Sequence, residues 1–367
     1  TTAQVAVLTT ENVAALETAD VAALTTRLVA ALTTQQVAAL TSIQVAALTT
    51  AQVAQGLTTA QIAQGLTSDQ VVALTSAQVA ALTTTQVAAL TTANVAAMET
   101  ADVAALTTRQ VAAFTTAQVA QGLSSDHVAA LGTAQVAALT TAQMAALTTD
   151  QVIALETADF TVLSTGQLRA LSTAQFAAIE TTDIAALKTS QVASLSTAQL
   201  GQGLTSDQAI ALTTAQVRAL TTSQVASLTT DNLVAMETAD VAALTTAQVA
   251  QGLSTTQVHA LTSAQVAGMT TAQIAALTTT QVAQGLNTDQ VIALTTAQAQ
   301  ALTTAQVAAL STTNVAAIET TDFAALKTGQ IAALTTAQVA QGLTSDQVIA
   351  LTTAQAQAFK TNQIAAL

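Results

Sequence analysis

The chain has 367 residues, of which 51% are hydrophobic, 1% aromatic and 7% charged, whereas an ordinary soluble domain is roughly 25% charged. Seven basic residues against 20 acidic ones give a formal charge of −13, the wrong sign for a nucleic-acid backbone as partner; the absence of Cys removes disulfides, thiolate metal sites and cysteine nucleophiles. Mean hydropathy is +0.53, yet every apolar run is about four residues long, where a transmembrane segment needs roughly 20, and a half-hydrophobic chain this poor in charge is not a disordered one.

Read from Thr1, the chain divides into 45 octads of consensus Thr-Thr-Ala-Gln-Val-Ala-Ala-Leu plus seven single insertions. Each insertion is a glycine inside Gln-Gly-Leu: Gly56, Gly65, Gly122, Gly203, Gly252, Gly285 and Gly342. A fixed period overrides the domain count that length alone would suggest. Residues 1–367 therefore read as one continuous repeat array. It starts and stops on complete octads without a distinct capping repeat, as expected of an internal segment of a longer chain or of one uncapped protomer of a polymer.

The first octads already set the rules. Positions 5 and 8, as in Val37 and Leu40, are large and apolar almost throughout. A separation of three places both on one face of a helix, whereas in a strand they would point to opposite faces. Ala, Gln and Leu also favour helix. The expected fold is all-α: a solenoid of about 45 very short helices, with a β-solenoid as the alternative. Position 2 is Thr or Ser in every octad, while position 1 also admits Glu17, Gly132, Lys188 and Asn287. That asymmetry assigns the helix N-cap to position 2; a Thr-x-x-Gln capping box from position 1 is the competing register. Positions 3 and 6 are expected at the surface, and the position-4 Gln amide is expected to bond to the backbone of an adjacent octad.

Further along, landmarks recur. Glutamate opens octads at Glu17, Glu99, Glu156, Glu180, Glu237 and Glu319, each with Asp at position 4; carboxylates there suit the positive end of a helix. The glycine insertions predict left-handed residues that end a helix early and turn the chain. Asp159, Asp183, Asp207 and Asp231 stand 24 residues apart, which reads as three helices per turn. His127 replaces Gln at position 4 and His259 sits at position 6, neither with a neighbour that would make it a ligand or base.

The strings LTTAQVAAL and LETADVAAL resemble long Thr/Ala/Gln-rich octapeptide-repeat proteins of Gram-negative bacteria. The resemblance implies a secreted surface or matrix protein of the kind labelled as adhesion or haem-utilisation proteins. Haem use gains nothing from two isolated His and almost no aromatic residues. The Ser and Thr have no recurring His partner, and there is no phosphate loop. No enzyme activity is expected, and no catalytic, cofactor-binding or metal site; no cofactor is implied. The expected role is an extracellular or cell-surface structural protein, a rod, filament, sheath or matrix fibre whose partner is itself. The alternative is a surface adhesin whose threonine rows contact glycan or ice. Neither a nucleic-acid partner nor a transmembrane segment is expected.

Overall fold

The computed structural model describes residues 1–367 as 45 helices without a strand, 40 of them α-helical and five π-helical. They fall into two compact units, Thr1–Ala186 and Leu187–Leu367, built to the same plan. The fold is an α-solenoid of one short helix per octad. Helices of four to seven residues do not persist alone in water, so their stability comes from packing between turns.

That packing follows the two apolar positions. Position-5 side chains are essentially sealed: Val37, Val103 and Phe160 in the first unit and Val217 and Phe323 in the second are 0% exposed. Position-8 residues such as Leu40, Leu155 and Leu326 are 3–5% exposed. Burying one of each per octad does not by itself offset the entropy cost of ordering eight residues. An isolated octad therefore does not hold. Positions 3 and 6 are exposed as expected, as at Gln35 and Ala38.

Within each unit every helix packs on the helix three octads further along, as Thr34–Ala39 does on Thr59–Gln64 and Thr214–Ala219 on Thr238–Ala243. The position-4 amides reach the octad four places back, as Gln44 reaches Val13. Neighbours at both three and four octads mean that a turn closes between those numbers, about three and a half, rather than at three.

The cap register differs from the expectation. The N-cap is position 1, not position 2: the Thr107 hydroxyl accepts from the Gln110 amide N–H at 3.3 Å, and the Thr107 N–H donates to Gln110 Oε1 at 2.7 Å. This is the reciprocal Thr-x-x-Gln box. Position 1 varies because the Gln half of the box survives without the hydroxyl. Gly132, Lys188 and Lys327 each still donate their N–H to the Gln three residues on, at 2.7 Å. Position 2 is the first helical residue, as at Thr108 and Thr141. The Thr141 methyl lies 3.6 Å from where a Cβ would sit on Gly166, in the octad three further along.

The inserted glycines also behave differently from the expectation. No residue, glycine included, has positive φ, so none is a left-handed corner. Five insertions widen the helix into a π-turn, as in Gln52–Gly56 and Gln248–Gly252. There the next Leu N–H reaches back five residues, Leu57 to Gln52 at 2.9 Å. After Gly65 the Leu66 N–H makes the same reach to Gln61, at 3.0 Å, and Gly342 closes the α-helix Thr336–Gly342. Glycine is required because of crowding. A Cβ at Gly56 would lie 3.0 Å from Val29 Cβ and 3.2 Å from the Thr26 carbonyl oxygen, in the octad three earlier.

Candidate functional site

The chemistry inside each unit is concentrated at position 4. Gln110 is 2% exposed; its Oε1 is held by the cap, which aims Nε2 inward at the carbonyls of Val79 (3.0 Å), Ala80 (3.3 Å) and Leu82 (2.7 Å). The second unit repeats this at Gln248, which donates to Val217 and Leu220 at 3.0 and 2.6 Å. These carbonyls lie at the ends of short helices; those of Val79 and Val217 also accept the N–H of Leu82 and Leu220, at 3.1 and 3.2 Å. One amide thus closes the start of its own helix and the end of another. No buried side-chain nitrogen or oxygen lacks a partner.

Substitutions at this position show what the row demands. Asn, one methylene shorter, reaches only the position-8 carbonyl: Asn94 to Leu66, Asn232 to Leu204 and Asn314 to Leu286, at 2.9–3.1 Å. His127 reproduces the amide instead. Its Nδ1 accepts from the Ser124 N–H at 3.1 Å, leaving Nε2 to donate to the Met98 carbonyl at 2.8 Å. This requires the neutral Nε2–H tautomer and uses both ring nitrogens in structure. His259 is exposed, and its carbonyl accepts from Asn287 Nδ2 at 3.2 Å.

Aspartate at position 4 has acceptors where an amide has a donor. Asp102, Asp183 and Asp322 are 3–5% exposed and take a hydroxyl from position 2 of the octad three earlier: Ser76, Thr157 and Thr296 donate at 2.6–2.7 Å. Asp159 instead accepts from the Glu156 N–H at 3.0 Å. Burial pushes the Asp159 carboxyl above its ordinary range, opposed by that N–H and helped by the charges of Glu156 and Asp183. Burial likewise raises Asp183, against the Thr157 hydroxyl and with Glu180. Asp240, 3% exposed, is pushed up to about 6, first by burial and then by the charge of Glu237. No group of three or more His, Cys, Asp or Glu is arranged to hold a metal ion.

The outer surface carries the cap hydroxyls of position 1, the charges, and a few β-branched side chains at position 6. Val72, Ile153, Ile210 and Ile292 are 44–47% exposed, and Ile349 is 81% exposed. Each follows an Asp three residues earlier, at position 3. No helix is long and apolar enough to cross a membrane. The sequence alone pointed to the position-4 amide as a backbone partner. It did not reveal that Asp102, Asp159, Asp183, Asp240 and Asp322 are buried, since Asp20, in an octad identical to that of Asp102, is exposed.

Compared with known proteins, the chain matches a family model described as the ALTTAQ repeat. The matches span residues 13–50, 64–92, 95–133, 128–155, 152–179, 176–214, 210–236, 233–271, 259–284 and 315–353. No curated protein matches it.

Proposed function

Because the chain belongs to the ALTTAQ repeat family, and its octads are tied to each other by one recurring bond set, we propose that it is an extracellular structural protein that builds a rod, filament or matrix fibre by self-association. The observation that carries this reading is the self-complementarity of the turn. The face of one turn offers position-4 amides and the face of the next offers position-5 and position-8 carbonyls, as in Gln338 to Val307 and Leu310 at 2.8 and 2.7 Å. A surface that pairs with its own repeat inside a chain also pairs with the same repeat in another copy, and such head-to-tail contacts need not close. The absence of Cys and the scarcity of Lys and Arg suit an oxidising, protease-exposed location. Electron microscopy of the native material tests the assembly, and protease shaving of intact source cells tests the location. Filaments or sheets accessible to protease are expected. Compact monomers confined inside the cell would overturn the reading.

A second reading, a surface adhesin that contacts glycan or ice, draws on the exposed position-1 threonines such as Thr41 and Thr221. Their oxygens accept from the helix N–H, and the O–H stays available to a ligand. A glycan-array screen and a thermal-hysteresis measurement test it; silence in both would remove it.

A further inference from the structure

The few charges of this chain are sorted by side. Neighbours at three and four octads make seven octads close two turns, and make ten octads close three to within half an octad. In the first unit Glu17, Glu99 and Glu156 open octads separated by ten and then seven places, so they share one side. Arg27, Arg109 and Arg169 lie in the octads that immediately follow. They keep the same ten-and-seven spacing, one corner further round. Arg27 and Arg109 occupy position 3 and Arg169 position 6, which are the same face of a short helix. All six side chains are exposed, and no ion pair within the unit occupies them. Asp69, Asp126 and Asp150 broaden the acidic side; no acid falls in the octads of the arginine ridge. In the second unit Lys327 follows the octad of Glu319, and Arg218 stands fourteen octads, four turns, before it, while the octad after that of Glu237 carries no basic residue.

We propose that these rows dock against each other between copies of this chain laid side by side, the acidic row of one on the basic ridge of the next, with both chains running the same way. The occupant is a second copy because the two rows share one spacing, which an unrelated partner would have to reproduce. The direction follows from the unequal intervals. Parallel copies in register match all three pairs of the first unit, whereas antiparallel copies set ten against seven and match at most two. Exposed ion pairs are individually weak; their contribution here is register and selectivity. A chain of charge −13 repels its copies wherever acidic faces meet, which disfavours contacts that pair acidic rows.

This inference rests on the self-association proposed above but concerns the lateral contact, so the two can fail separately. The test uses the full chain in two variants. One carries Arg27→Glu, Arg109→Glu, Arg169→Glu, Arg218→Glu and Lys327→Glu. The other carries Glu17→Lys, Glu99→Lys, Glu156→Lys, Glu237→Lys and Glu319→Lys; Lys at position 1 occurs naturally at Lys188 and Lys360. Far-UV circular dichroism verifies folding. By electron microscopy and sedimentation at low salt, the unaltered chain is expected to associate side by side and each variant alone to lose this at least about tenfold. An equimolar mixture of the two variants is expected to recover it, because both rows of one are then acidic and both rows of the other basic. Raising salt to about 0.5 M, where screening is nearly complete within a few ångströms, should disperse the recovered pairs. Lateral association that survives in either variant, no recovery on mixing, or single unbundled filaments of the unaltered chain would overturn the proposal while leaving the filament intact. If no filament forms, the head-to-tail reading falls, and a salt-sensitive side-by-side dimer seen by sedimentation still upholds this one.

Discussion

Gln110 and Leu82 stand 28 residues apart in sequence, and the amide of the first donates to the carbonyl of the second at 2.7 Å. The other end of the same amide holds the Thr107 N–H at 2.7 Å. A side chain with a donor at one end and an acceptor at the other therefore links two turns, and the substitutions that respect this can be ranked. Gln110→Asn keeps the Leu82 bond, as Asn94 keeps its own, and should cost about 1 kcal/mol. Gln110→Glu preserves shape but turns an acceptor toward three carbonyls and should cost about 2–3 kcal/mol. Chemical denaturation of the three proteins checks the order; equal midpoints would show that the inter-turn bonds carry no stability.

The cap register is open to an equally direct comparison. Thr107→Val removes the hydroxyl that receives the Gln110 N–H and should destabilise by about 1 kcal/mol. Thr108→Val, at the exposed next position, removes no cap and should change stability by less than about 0.5 kcal/mol. The reverse order in a thermal melt would restore the cap to position 2.

Two glycines should respond in opposite senses to alanine. At Gly252 a new Cβ would meet Val225 Cβ and Cγ1 at 3.1 Å and the Thr222 oxygen at 3.2 Å. Gly252→Ala must push turns apart and should cost about 1–3 kcal/mol. At Gly166, inside the helix Thr165–Ala170, the nearest atom is a methyl at 3.6 Å. Gly166→Ala should stabilise by about 0.5–1 kcal/mol. Paired thermal midpoints decide, and a tolerated Gly252→Ala would contradict the crowding.

Acid should strengthen the fold around Asp240. Its folded-state carboxyl is raised to about 6, above the ordinary range near 4, so the ionised form is the one that folding penalises. This penalty is present in full above pH 6. It is relieved as pH falls from 6 toward 4, and below 4 folded and unfolded states are both protonated. Asp159 and Asp183, also raised, act in the same direction. Asp240→Asn, which supplies the donor that Asn232 uses toward Leu204, should raise the thermal midpoint at pH 7 by about 2–4 °C and flatten its rise on acidification. A midpoint that falls between pH 7 and 5 in the unaltered chain would refute the assignment.

Much of this architecture is legible in the sequence because each octad repeats the same solution. Val37 and Leu40 announce a helical face by their spacing, and Gln36, less variable than a surface residue should be, announces a bonding partner. What misled was variability read as freedom. Position 1 changes to Gly132 or Lys188 because the Gln side chain carries half of the cap by itself, so losing the hydroxyl there weakens the cap without abolishing it. Gly56 was recognised as special but for the wrong reason. Its sequence context cannot separate a left-handed turn from a backbone that passes close to Val29, a residue 27 positions earlier. Likewise nothing local distinguishes an aspartate at a solvated helix start from Asp102, sealed beneath Ser76 of another octad. Short-range roles were readable; roles set by the next turn were not.

The amide that spans two turns also sets how the coil would yield to tension. A pull along its axis meets bonds such as Gln44 to Leu16 at 2.7 Å one octad after another, because each helix is seated by its own side chain and not by a shared sheet. An octad that lets go releases at most about 29 Å of extended chain; it takes its carbonyls from one amide four octads on, and the other octads keep their own amides and caps. Such a coil extends in many small equal steps, absorbs work at each, and can rewind from any octad still seated.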